Sequence, residues 1–203
     1  IEVGTGTLTA TNARSAAVVK IAVEKLGEWV QNCPHVQVDE TPWLVLGVKE
    51  WMWVVCGSGF CLFHAGDTRS RAELEILLGK SFQGVLSSDD FSVYNGYPAR
   101  KPQKCLAHLR RHFKKVSQLK HGNNARLGQV FLDLIDAAFA AHRQWRESGD
   151  TVAYREWADG FKREVRTALD LWLPSAGYAA GLLLRSLRDK ASQWWPFLEH
   201  PEI

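Results

Sequence analysis

The chain has 203 residues, 46% of them hydrophobic, and a net charge of +3; it can bury a substantial core, and its overall charge is too small to identify a partner. Four cysteines (Cys33, Cys56, Cys61, Cys105) make no CxxC pair and no regular framework, which argues against a disulfide scaffold and for a reduced, cytosolic setting. No apolar run reaches membrane-spanning length and no basic-then-apolar leader is visible, so no membrane association is expected.

The sequence starts at Ile1 without a methionine and stops at Glu202-Ile203, so it is expected to be a piece of a longer chain. Residues 1–11, with Gly4, Gly6 and several threonines, read as a loop or cap. A helix is predicted from about Asn12 to Trp29, because Val18, Val19, Ile21, Ala22, Leu26 and Trp29 form a helical stripe. Three extended segments follow near 35–40, 43–55 and 60–65, with a bend at Gly47 and a hairpin signal at Gly57-Ser58-Gly59. In the first, alternation puts Val36, Val38 and Glu40 on one face and His35, Gln37 and Asp39 on the other. A helix from Arg71 to about Phe82 ends at Gly84, and a fourth strand, Val85 to Ser88, delivers Asp89 and is expected to run parallel to the first. Asp39 and Asp89 are thus two strand-end carboxylates that could share a divalent metal; the plainer alternative makes each a turn or cap residue.

From Phe91 to Leu132 the chain has no Asp or Glu, yet it carries Arg100, Lys101, Lys104, Arg110, Arg111, Lys114, Lys115, Lys120 and Arg126. Leu106, Leu109, Phe113 and Val116 fall at helical spacing and leave Arg110, Arg111, Lys114 and Lys115 outward. A solvated helix face normally mixes signs, so this one-sign run suggests a polyanion, with a merely solvated face as the alternative. Cys105, His108 and His112 share one helical face, either as a metal half-site without a second pair or as a thiol packed beside a hydrogen-bonding histidine. Long helices follow, from about Ala125 to Arg146, Thr151 to Leu173 and Tyr178 to Trp195, and their Trp and Phe residues read as packing rather than base-stacking platforms.

Several phrases together resemble a known family. They are Val38-Asp39-Glu40-Thr41-Pro42-Trp43, Trp51-Met52-Trp53-Val54, the stretch Gly84 to Asn95 containing Ser88-Asp89-Asp90, and Gln103-Lys104-Cys105-Leu106-Ala107-His108-Leu109-Arg110-Arg111. In order and spacing these resemble the catalytic core of bacterial insertion-sequence transposases, most closely the insertion sequence 66 family of DDE transposases. The resemblance covers nearly the whole chain.

It implies an α/β fold: a ribonuclease-H-like mixed sheet with flanking helices and a large all-helical insertion near the C-terminus. The implied organisation is 1–34 as a lead-in loop and helix, 35–122 as catalytic core, and 123–203 as helical insertion. Asp39 matches the first catalytic acid and Asp89 the second, as ligands for two Mg²⁺ or Mn²⁺ ions, while Cys105 and His108 match a Cys-x-x-His signature of uncertain role. The third acid, a glutamate, is expected beyond Ile203, so this fragment should be nearly inactive. The implied function is metal-dependent DNA cleavage and strand transfer in transposition. Lys104, Arg110, Arg111, Lys114 and Lys115 would contact DNA (element ends and target), in a cytoplasmic, nucleoid-associated setting, with a homo-oligomer on DNA left open. The alternative function is a non-catalytic nucleic-acid-binding or assembly module derived from a transposase.

Overall fold

Alternation along His35 to Glu40 has its usual structural result: Val36, Val38 and Glu40 are buried while Gln37 and Asp39 face outward. This run opens β1 (His35–Val45), the middle strand of a five-stranded sheet in the computed structural model, which describes residues 4–203. The strand order is β3-β2-β1-β4-β5, with β2 at Val48–Gly57, β3 at Phe60–Gly66, β4 at Phe82–Ser88 and β5 at Ala99–Lys104. β1, β2 and β3 form an antiparallel meander. β4 pairs parallel to β1, with His35 opposite Val85 and Gln37 opposite Ser87. The sheet is therefore mixed, as the sequence pattern led us to expect.

β1 runs further than its alternating stretch, through Pro42 to Val45, because the chain reverses only at Leu46-Gly47, where φ is 49° and 84°. Two consecutive positive φ values suit the twist of a two-residue hairpin. Pro42 is tolerated because β4 pairs with β1 only as far as Gln37. Gly84 is required by close approach: a Cβ there would lie 2.5 Å from the Cys33 carbonyl oxygen and 2.7 Å from that of Pro34.

The first helix, α1 (Thr5–Val30), begins before the predicted Asn12, so the threonine-rich run is helical rather than a loop; the first three residues of the predicted loop lie outside the described ones. α2 (Arg71–Leu78) stops at Gly79, earlier than predicted, because Phe82 already belongs to β4 and its N–H donates to the Pro98 carbonyl (2.9 Å). β5 was not foreseen. It lacks alternation and contains Pro102, which an edge strand accommodates.

The chain forms two compact units, Ile1–Lys101 and Pro102–Ile203. In the first, Val30, Val36, Val38, Trp53, Val55, Leu74, Leu78, Phe82 and Leu86 form a core between sheet and helix. The second is helical: α3 (Leu106–Ser117), α4 (Asn124–Ser148), α5 (Thr151–Trp172), α6 (Tyr178–Asp189) and the short α7 (Ala191–Trp194). Its core joins Leu109, Phe113, Leu127, Phe131, Ile135, Phe161, Val165, Leu184 and Trp194, with Phe113 stacked on Phe131 at 4.7 Å between centroids. The last predicted helix is interrupted at Lys190, whose φ of −113° and ψ of 30° leave the helical region. Trp157, Phe161, Trp194 and Trp195 pack in or against this core. Among the described residues the architecture is a mixed α/β fold of five strands and seven α-helices.

Candidate functional site

Parallel pairing brings together the strands that carry or precede the two acids. The register ends with Gln37 opposite Ser87, two residues before Asp39 within β1 and two before Asp89, which lies just past the end of β4. On these two strands His35 Nε2 and Ser87 Oγ are 2.9 Å apart. Asp39 is exposed, and its Oδ1 accepts from the Glu40 N–H (3.0 Å). Asp89 is half-buried; its Oδ1 accepts from the Phe91 N–H (2.9 Å), closing a turn, and its Oδ2 lies 3.5 Å from Arg69 Nη2. The turn role weighed for a single aspartate is therefore real for Asp89.

The acid that sequence reasoning passed over is Glu40. Its side chain has no exposed surface, and Arg69 Nε donates to its Oε1 at 2.6 Å while the Tyr94 hydroxyl donates to its Oε2. Burial raises the Glu40 pKa, and the opposing hydrogen bonds from Tyr94 and Arg69 do not cancel it. Tyr94 is held far above the usual phenol range, first by burial, then by the negative charges of Glu40, Asp89 and Asp39. All three carboxylates thus act on one hydroxyl. Arg69, from the β3–α2 connection, links Glu40 to Asp89 and stacks over Phe91 at 3.5 Å to the ring centroid, with Trp51 at 5.1 Å. The signal was present in the alternation: a glutamate on the Val36 and Val38 face must find a cation or a donor.

Asp39 and Asp89 offer hard oxygen donors, the kind that Mg²⁺ or Mn²⁺ takes. Among the described residues, no group of three or more His, Cys, Asp or Glu side chains is placed to hold a metal ion.

In the second unit, Cys105 is the residue before α3, half-buried, and its carbonyl accepts from the Leu109 N–H (3.2 Å); His108 follows in the first turn of the helix. The basic residues separate into two groups. Arg111, Lys114 and Lys115 are exposed, opposite the buried Leu109, Phe113 and Val116. Lys104 is only 3% exposed, with Nζ 5.8 Å from the Trp194 ring centroid, and Arg110 forks onto Asp136 of α4 at 2.6 and 2.9 Å. That fork holds the Asp136 carboxyl below its ordinary range. A run of one sign along the chain is thus partly neutralised across the helix pair.

No helix among the described residues is long and apolar enough to cross a membrane. Comparison with curated proteins gave no match. The model of the Transposase IS66 family matches residues 1–202, nearly the whole length over which the acid-bearing strands and the basic helix have been described. With these residues in that order, the chain belongs to the IS66 family of transposases, and its function is related to DNA transposition.

Proposed function

We propose that the chain is the catalytic-core portion of a ribonuclease-H-like DDE transposase, in which Asp39 and Asp89 ligate divalent metal and the exposed face of α3 holds the DNA backbone. The observation that supports this reading is the parallel β1–β4 pairing, whose last partners, Gln37 and Ser87, each lie two residues before one of the two aspartates. Bound Mg²⁺ or Mn²⁺ would supply Lewis-acid activation for an in-line displacement at phosphorus. The chain's own contribution is positional. β1 holds Asp39 on a rigid strand, the Phe91 N–H fixes one Asp89 oxygen, and Arg69 restrains the other from the buried Glu40. Arg111, Lys114 and Lys115 would meet phosphates without reading bases.

A non-catalytic DNA-binding module is the second reading, favoured by the lack of a third ligand beside the two aspartates among the described residues. Titration with Mn²⁺, followed by calorimetry, separates the two. On the catalytic reading Mn²⁺ binds, and Asp39→Asn or Asp89→Asn weakens it at least tenfold while the far-ultraviolet spectrum is kept. Mn²⁺ affinity unchanged in both variants would leave only the binding module.

A further inference from the structure

We propose that Cys56 and Cys61 are a disulfide-exchange site: a surface dithiol that a low-molecular-weight disulfide, such as oxidised glutathione, converts reversibly into a cross-strand disulfide. The two residues are direct partners in the antiparallel β2–β3 ladder, and their Sγ atoms lie 2.8 Å apart. They are one pair in from the turn, where Gly57 opposes Phe60 and Gly59 (φ 83°) completes the reversal. Directly opposed strand residues have Cα atoms about 4.5–5.5 Å apart, within the roughly 4.4–6.8 Å that a disulfide spans. The backbone therefore does not have to move for the bond to form.

Access divides the labour between the thiols. β3 is the edge strand and Cys61 on it is exposed, whereas Cys56 is half-buried. Burial, followed by the hydrogen bond with Cys61, pushes the Cys56 thiol up to about 11, so Cys61 is the group that meets an incoming reagent. The Cys61 thiolate attacks one sulfur of the glutathione disulfide, forming a mixed disulfide and expelling one glutathione thiolate, which takes up the proton Cys61 gave. Cys56 then loses its proton and attacks Cys61 Sγ, forming the Cys56–Cys61 bond and releasing the second glutathione. The dithiol is oxidised by two electrons, and one glutathione disulfide becomes two glutathiones. Cys33 lacks such a partner geometry; it is buried, and its thiol is directed at the Trp29 carbonyl (3.6 Å). Oxidation would tie the edge strand to its neighbour. β3 also carries His64, whose Nε2 is 2.8 Å from Glu73 of α2, so the tie reaches the helix that caps this core.

The test incubates the 203-residue protein in equal concentrations of reduced and oxidised glutathione, then unfolds, alkylates and peptide-maps it. Expected is one hairpin peptide carrying an internal Cys56–Cys61 bond and lacking two hydrogens, with Cys33 and Cys105 alkylated, the bond reversed by dithiothreitol, and the melting midpoint higher in the oxidised form. Cys56→Ser, which removes the resolving thiol, should instead accumulate glutathione on Cys61. Full alkylation of Cys56 and Cys61 in the wild type, or glutathione persisting on wild-type Cys61 beside a free Cys56, overturns the proposal. So does a Cys56→Ser variant that takes up no glutathione.

Discussion

Arg69→Ala strips the Glu40 carboxylate, whose side chain is wholly buried, of a guanidinium 2.6 Å away and removes the stacking over Phe91. Breaking a buried pair by deleting one partner costs about 3 kcal/mol, which a lowered urea midpoint would register. Glu40→Gln should cost less, about 1 kcal/mol, because the amide still accepts from Tyr94. The pH dependence has a definite sign. Burial raises the folded-state pKa of Glu40 above its unfolded value, so its contribution to stability is fully present below the ordinary glutamate range. It is lost as pH rises from that range through the raised folded value, since the unfolded chain gives up the proton first. Urea midpoints of wild type and Glu40→Gln, compared over this window, should therefore shift against the wild type with rising pH. A constant difference would show that Arg69 and Tyr94 offset the burial. None of this network is visible locally: Arg69 is 29 positions from Glu40 and Tyr94 is 54. The sequence could announce only that an acid on an apolar face must have partners.

Elements were legible where one period dominated. Alternation in β1 and the Leu109, Phe113 and Val116 stripe of α3 assigned both elements and both buried faces, because a strand repeats every two residues and a helix every 3.6. β5 escaped because an edge strand with a proline needs no alternation, and the pairing that defines it is tertiary. Asp89 was legible as the residue that follows β4, whereas Asp39, expected at a strand end, lies within β1, which runs on to Val45; the pairing of Gln37 with Ser87 is tertiary and had no local signal. The helix boundaries hold further testable content. Asp150 caps α5 by accepting from the Val152 and Ala153 N–H groups at 3.1 and 2.9 Å. Asp150→Ala should lower stability by about 1 kcal/mol in a denaturant titration. Phe113→Ala, which empties a fully buried site stacked on Phe131, should cost about 3–5 kcal/mol by the same measurement. If Asp150→Ala proved the more damaging, the helical unit would be held by its ends rather than its core.

At the scale of the whole molecule the net charge of +3 says little, and the placement of charge decides what DNA meets. A basic run read along the chain counted Lys104 and Arg110, yet one is buried and the other is held by Asp136, 26 positions on. On the proposed reading, in which α3 holds the DNA backbone, the surface left for phosphates is Arg111, Lys114 and Lys115, which are exposed. Three phosphate contacts imply a slope of about −2.7 in log affinity against log salt, so a fourfold rise in salt should weaken binding about 40-fold. Replacing those three residues with alanine should flatten the slope and weaken all duplex sequences alike, as fluorescence anisotropy with two unrelated duplexes can measure. Asp136→Asn makes the opposite prediction. Removing the carboxylate frees the Arg110 fork for another phosphate, so affinity at low salt should rise and the slope steepen by about 0.9. A variant with tighter binding and an unchanged slope would mean that Arg110 gained no phosphate and only the local field had changed. A slope unaffected by either set of substitutions would move the DNA surface away from α3 altogether.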